Sequence, residues 1–182
     1  ADEKVREHLD RIKSSVDNAT AVIQSLLDLT RMKAARLVRL DLIATTADAI
    51  VTAKVPARVK VIRSFAEPEV WVNADREQLG MAFQNIIANA VEAMLGKGTL
   101  TVVIDTKDGQ AEVSFTDTGP GILPENLDKI FQPLFSTKAK GIGFGLSIAK
   151  MVIERHGGTI EVKSASGKGA TLIIRLPLGV DK

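Results

Sequence analysis

Residues 75–96 read DREQLGMAFQNIIANAVEAMLG. The pattern predicts one strong helix from Asp75 to Met94, with Asp75 as its N-cap and Gly96 as its stop. At about 100° per residue, Leu79, Phe83, Ile86, Ile87, Ala90 and Met94 fall in one arc that faces a core. Asn85, Asn89 and Glu92 fall in a second, narrower arc, so their side chains stack along one line. Asparagine is a mediocre helix former, and two of them beside a core face suggest a site. Their carbonyl oxygens suit Mg²⁺, a hard cation that completes its shell with waters and phosphates. A solvated polar face has the same pattern, so the rest of the chain has to decide between them.

Around this helix the pattern is mixed. A helical stretch at 42–53 ends at Pro56, and VKVIRSF (59–65) and EVWVNA (69–74) read as short strands. TLTVVIDT (99–106) and AEVSFTD (111–117) alternate like paired strands across Asp108-Gly109, a strong hairpin signal. A short helix is expected at Asn126–Phe131 and a longer one at Leu146–Arg155, closed by His156-Gly157-Gly158. TIEVKSA and ATLIIRLP then supply two closing strands around SGKG. The expected fold class is α/β: an α+β two-layer sandwich in which helices cover one face of a mixed sheet.

Ahead of this unit, Val5, Leu9, Ile12, Val16, Ala19, Ile23, Leu26 and Thr30 recur at heptad spacing. That seam needs a partner: a second helix, another copy of itself, or its own globular domain. KAARLVRLDL (33–42) reads as a hinge. The expected division is therefore a bundle segment over 1–36 and a second unit over 37–182.

Composition narrows the function classes. The 182 residues suffice for one full core and an extra element, since domains usually run to about 100–200 residues. A net charge of +2 argues against a nucleic-acid surface. The chain has no cysteine, hence no disulfide or thiolate metal site, and two distant histidines make zinc improbable. No apolar run reaches the ~18 residues of a membrane span, and no signal-peptide pattern opens the sequence, so a soluble, cytoplasmic unit without membrane contact is expected.

Two further stretches carry chemistry. In FTDTGPGI (115–122), Asp117 ends a strand, and Gly119-Pro120-Gly121 forces a turn. A carboxylate there can accept from an exocyclic amine such as that of adenine, and the glycines admit a ligand close to the backbone. An ordinary tight turn has the same residues. In FSTKAKGIGFGLS (135–147), Lys138 and Lys140 supply cationic charge, and Gly141, Gly143 and Gly145 give a pliable backbone whose N–H groups can face oxyanions. The helix that opens there adds a dipole favourable to anions. Neither a dinucleotide fingerprint nor a Walker loop fits this segment.

The order and spacing of these stretches resemble the nucleotide-binding boxes of the GHKL superfamily, and most closely those of sensor histidine kinases. The N box resembles Asn85–Ala93, the first glycine box Asp117–Ile122 and the F box Phe131–Phe135; the later glycine boxes resemble Gly141–Gly145 and Gly167–Thr171. The resemblance implies the Bergerat ATP-binding fold with ATP and Mg²⁺ as cofactors. It assigns Asn89 to the metal and places Asn85 where hydrolysing relatives carry a catalytic glutamate. It gives Asp117 the adenine amine, with Thr171 nearby through a bridging water, makes Gly119 and Gly121 the adenine wall, and counts Ile122 among the nucleotide-binding residues. Lys138, Lys140, Gly141, Gly143 and Gly145, with Leu146 behind them, would close over the phosphates as a lid spanning about 131–145. Asn85 and Lys138 are the implied catalytic positions, because an amide cannot act as a general base and so suits transfer to an external acceptor better than hydrolysis.

Two departures from the family pattern stand out. Glu92 occupies a place where many such kinases carry a cation. The phosphoacceptor motif is absent, since His8 lies too close to the end of the bundle helix and His156 reads as a helix-end residue. The acceptor histidine is therefore expected outside this chain. The implied partners are ATP and ADP, a second copy through the amino-terminal helix, and a response-regulator receiver domain. A non-catalytic nucleotide-binding module and a hydrolytic GHKL ATPase are the alternatives.

Overall fold

The computed structural model describes residues 4–9, 11–13, 15, 16, 19, 20, 23, 34–138 and 143–179. The described residues up to 23 are helical, and Val5, Leu9, Ile12, Val16 and Ile23 on the heptad seam are all more than half exposed. Among the described residues, nothing covers the described part of that seam. Leu26 and Thr30 lie outside the described residues.

From Val38 the chain builds an α+β sandwich. Its main sheet has five strands: β2 (Val59–Phe65), β4 (Gly98–Lys107), β5 (Gln110–Asp117), β6 (Thr159–Ser164) and β7 (Ala170–Pro177). Their order is β2-β4-β5-β7-β6, with β2 parallel to β4 and every other pair antiparallel. A separate antiparallel pair joins β1 (Val38–Asp41) to β3 (Trp71–Ala74). The expected hinge is thus partly strand: Leu40 is buried opposite Val72, and that pairing recruits the segment into the fold.

Alternation in the strands decides which face is covered. Leu100, Val102 and Ile104 of β4, Ala111, Val113 and Phe115 of β5, and Leu172, Ile174 and Leu176 of β7 point inward and are buried. Onto them pack α1 (Leu42–Thr52), α2 (Arg76–Ala93) and α3 (Gly145–Arg155). The core arc of α2 is as expected: Leu79, Phe83, Ile86 and Ile87 are fully buried, and the Phe83 and Phe115 rings meet at 5.5 Å. The opposite face of the sheet is mostly polar and carries an Arg175 that bridges Glu112 and Glu161 at 2.8 and 2.9 Å.

The helix expected at Asn126–Phe131 does not form. A 3-10 turn over Pro124–Asn126 is followed by separate turns, with both Lys129 N and Ile130 N donating to Asn126 O. So short a segment cannot propagate past its nucleation cost, and Pro133 disfavours the helical region at Gln132.

Asp75 joins three elements. Its Oδ1 accepts from Glu77 N and Gln78 N at 3.1 Å and so caps α2, while Oδ2 accepts from Arg36 N at 2.9 Å, just ahead of β1. Its own N–H donates to Nε2 of His156 at 3.0 Å. Nδ1 of His156 lies 2.7 Å from Val152 O, and a carbonyl only accepts, so the buried imidazole is neutral with its proton on Nδ1. Burial pushes the Asp75 carboxyl up, but the N–H groups of Gln78, Arg36 and Glu77 outweigh it and hold it below its ordinary value. A depressed carboxylate stabilises the fold above its unfolded value and loses that contribution as pH falls through the folded one. Asp75→Ala is accordingly expected to lower stability by about 1–2 kcal/mol at neutral pH, and the deficit should shrink in acid. Urea unfolding of both proteins at pH 7 and pH 3.5 checks this.

Candidate functional site

Three segments enclose a cavity of about 620 Å³: the polar arc of α2, the loop after β5, and the segment that leads into α3. Asn85, Asn89 and Glu92 line it from α2, Gly121 and Ile122 from the loop, and Phe135, Lys138, Gly143, Gly145 and Leu146 from the third segment. The stacked arc read in the sequence is therefore one wall of a pocket. Gly145 lies against Asn85: a Cβ there would stand 3.4 Å from Asn85 Oδ1.

Asp117 stands one step behind this wall. It is 3% exposed at the end of β5, and its Oδ1 accepts from Gly119 N at 2.8 Å. Burial raises its carboxyl above the ordinary value, opposed by the N–H groups of Gly119 and Ala170 and by the charge on Lys138. Gly119 connects Asp117 to the wall, since a Cβ on it would sit 2.8 Å from Asp117 Oδ1 and 3.3 Å from the Ala93 backbone.

The loop after β5 is held by its neighbour, residues 165–169. Ser164 Oγ accepts from Ile122 N at 2.9 Å and donates to Gly169 O at 2.7 Å, and Gly167 N donates to Pro120 O at 2.6 Å. Gly121, at φ +75°, turns so tightly here that a Cβ would fall 2.2 Å from Ala165 O. The third segment is fixed likewise: Gly143, at φ +76°, would place a Cβ 2.4 Å from Phe135 O. Both positions demand glycine on conformation and on space.

Lys138 is the most connected polar group of the cavity. Its Nζ donates to Asn89 Oδ1 at 2.9 Å, to Asn89 O at 3.3 Å and to Glu92 Oε2 at 3.0 Å. Hard oxygen donors from α2 thus already surround a cation, and this donor set fits Mg²⁺. Among the described residues no cluster of three His, Asp or Glu forms a rival metal site.

Some expected residues stand elsewhere. Thr171 pairs with Thr116 across β5 and β7, and their hydroxyls meet at 2.9 Å on the sheet face away from Asp117. The residue opposite Asp117 is Ala170. Strand alternation is the reason, because neighbours in β7 point to opposite faces. Lys140 and Gly141 lie outside the described residues. Ser164 is the residue that the sequence did not flag; it sits at a strand end with no motif around it.

Comparison with known proteins identifies the family. The family described as histidine kinase-, DNA gyrase B- and HSP90-like ATPase matches residues 74–180, more than half the chain. The chain belongs to that ATPase family. The matched span of this histidine kinase-like ATPase contains α2, Asp117, the loop at 165–169 and the segment before α3. Its sequence is 36% identical over 166 residues to the sensor histidine kinase ZraS of Klebsiella oxytoca, covering 89% of this chain and 36% of that protein. The mycobacterial sensor histidine kinase MprB superposes with a TM-score of 0.71 at 27% identity, covering 78% of this chain and 97% of that one. Histidine kinase ThkA in complex with the response regulator TrrA shares the fold at a TM-score of 0.78 and 22% identity, covering 96% of this chain and 52% of that one. The ATPase-family chain spans about a third of the length of the curated relatives it matches. No described helix of it is long and apolar enough to cross a membrane.

Proposed function

We propose that this chain binds Mg·ATP in the cavity between α2 and α3 and transfers the γ-phosphoryl group to a histidine on a helix outside the chain. The observation that carries this reading is the convergence of Asn85, Asn89 and Lys138 on one cavity that backs onto the buried Asp117. Asp117 accepts from the adenine amine, while Gly119, Gly121 and Ile122 form the adenine wall. Asn89 holds the divalent cation, which neutralises the β- and γ-phosphate charge when bound. Lys138 and the N–H groups of Gly143 and Gly145 face the phosphates, and the lid they belong to spans about 131–145, with Lys140 and Gly141 in it.

In the transfer, the acceptor imidazole nitrogen forms a bond to the γ-phosphorus, the bond to the bridging β-phosphate oxygen breaks, and ADP leaves. This chain positions the reactants and stabilises charge. Asn85 cannot take a proton from water, which supports transfer over hydrolysis. Neither histidine of the chain suits the acceptor role: His156 is buried and hydrogen-bonded on both ring nitrogens, and His8 stands too close in sequence to the end of the bundle helix.

Residues 1–36 are the part of a dimerisation bundle that precedes a catalytic unit over 37–182. The exposed seam at Val5, Leu9, Ile12, Val16 and Ile23 supports a homodimer through this helix. A response-regulator receiver domain is the downstream partner, supported by the complex in which ThkA is seen with TrrA. The working location is the cytoplasm.

The test is phosphate transfer from labelled Mg·ATP to a separately supplied histidine-bearing bundle helix. Transfer is expected from the unaltered chain, and Asn89→Ala is expected to reduce it by at least about a hundredfold, the scale seen when a charge-stabilising group is lost. Steady ATP turnover without an acceptor would instead favour the hydrolytic reading. Nucleotide binding with no transfer to any helix would favour the non-catalytic module.

A further inference from the structure

The position of Lys138 says more than that a lysine is available for phosphates. Its ammonium rests on Asn89 Oδ1, Asn89 O and Glu92 Oε2, three oxygens of one helix turn within 3.3 Å of a single cationic nitrogen. Glu92 lies on the cavity wall one turn beyond Asn89, and its carboxylate is the only anionic group among the described cavity-lining residues. We infer that the ammonium of Lys138 marks a divalent-cation site built from Asn89 Oδ1 and the Glu92 carboxylate, and that Lys138 competes with the metal for it.

The physical case rests on charge. Without nucleotide, Asn89 and Glu92 offer oxygens to whichever cation is nearest, and the tethered ammonium is always near. Mg²⁺ takes one or two protein oxygens and keeps several waters, and this pair supplies that number. An exposed ion pair is weak, since Glu92 and Lys138 keep 61% and 33% of their side-chain surface. The ammonium is therefore held firmly enough to fill the site and loosely enough to leave. With Mg·ATP, which rests on the function proposed above, the metal takes the oxygens and Lys138 is released towards phosphate. Glu92 then links two events in one exchange: metal entry and delivery of the lysine. It also disfavours metal-free nucleotide, because a triphosphate arriving alone meets a carboxylate that still holds its lysine.

The exchange can be read without nucleotide. Mn²⁺ alone, followed by electron paramagnetic resonance, is titrated into the whole chain and three variants: Lys138→Met, Glu92→Gln and the double variant. Removing the tethered ammonium is expected to tighten Mn²⁺ binding by at least about tenfold, the scale of one close charge at a protein surface. Glu92→Gln alone is expected to weaken it, and adding Glu92→Gln to Lys138→Met should abolish the gain. No tightening in Lys138→Met, or a gain that survives in the double variant, overturns the proposal and leaves a plain salt bridge. Glu92 is exposed and Lys138 one-third exposed, and circular dichroism of each variant verifies the fold. A parallel ATP titration separates the two readings. Loss of nucleotide binding with the Mn²⁺ pattern intact counts against the proposed function only. Nucleotide binding whose Mg²⁺ dependence is unchanged in Glu92→Gln counts against the exchange only.

Discussion

Asp117→Asn is expected to weaken nucleotide binding by about ten- to a hundredfold, because a hydrogen bond to a charged acceptor is worth about 1.5–3 kcal/mol. The fold should not suffer for it. Burial raises the folded-state pKa of Asp117 against the pull of two backbone N–H groups and Lys138. A raised carboxyl binds its proton more tightly in the native state than in the unfolded one. Stability from this group is therefore present in acid, declines as pH rises through the folded value, and is lost at neutral pH. The neutral asparagine removes that penalty and still accepts from Gly119 N. Thermal denaturation at pH 7 should give a Tm for Asp117→Asn no lower than that of the unaltered chain, and the difference should close near pH 4. In the unaltered chain, affinity should fall on acidification at a higher pH than an ordinary aspartate would dictate. Calorimetric titration across pH 5–8 reads this; equal affinity in the two proteins would remove Asp117 from the site.

Phe83→Ala carries the largest stability change expected, about 3–5 kcal/mol. Phe83 is fully buried, sits on the core arc of α2 and meets Phe115 of β5 at 5.5 Å. Truncating it leaves a void between the helix and the central strand, where neighbours cannot collapse without moving α2. Such a loss is a large part of the total stability of a domain this size. The same helix presents Asn85 and Asn89 two and six residues further on, so the variant should also bind nucleotide more weakly at temperatures where it stays folded. Urea denaturation gives the first quantity and titration at 10 °C the second. A change below about 1 kcal/mol would mean that the site can repack.

Much of this could be read from the residues alone, and the reasons differ by element. α2 was readable because periodicity, a capping aspartate and a stop glycine all agreed over five turns. The strands were readable by alternation, and Asp108-Gly109 marked its hairpin. β1 was hidden inside a segment that reads as a hinge, because its partner β3 is remote and four residues carry little alternation. The residues predict a helix at Asn126–Phe131 where turns form, because local apolar spacing cannot weigh nucleation against length. Asn85 and Asn89 could be placed on a common line from helix geometry. Thr171 could not be placed, since its side-chain direction depends on strand register. Glu92 stood in the right arc, but its hold on Lys138 spans 46 residues of sequence and belongs to tertiary structure.

The joint at Asp75 has a mechanical consequence. α3 begins at Gly145 against Asn85 in the cavity wall and ends in His156, which receives the Asp75 N–H, while the Asp75 carboxylate holds Arg36. Eleven helical residues make a rod of about 16 Å. The cavity between α2 and α3 and the anchor of Arg36 are therefore at opposite ends of one rod. A rigid α3 carries any displacement of Gly145 to His156, and through Asp75 to Arg36 just ahead of β1.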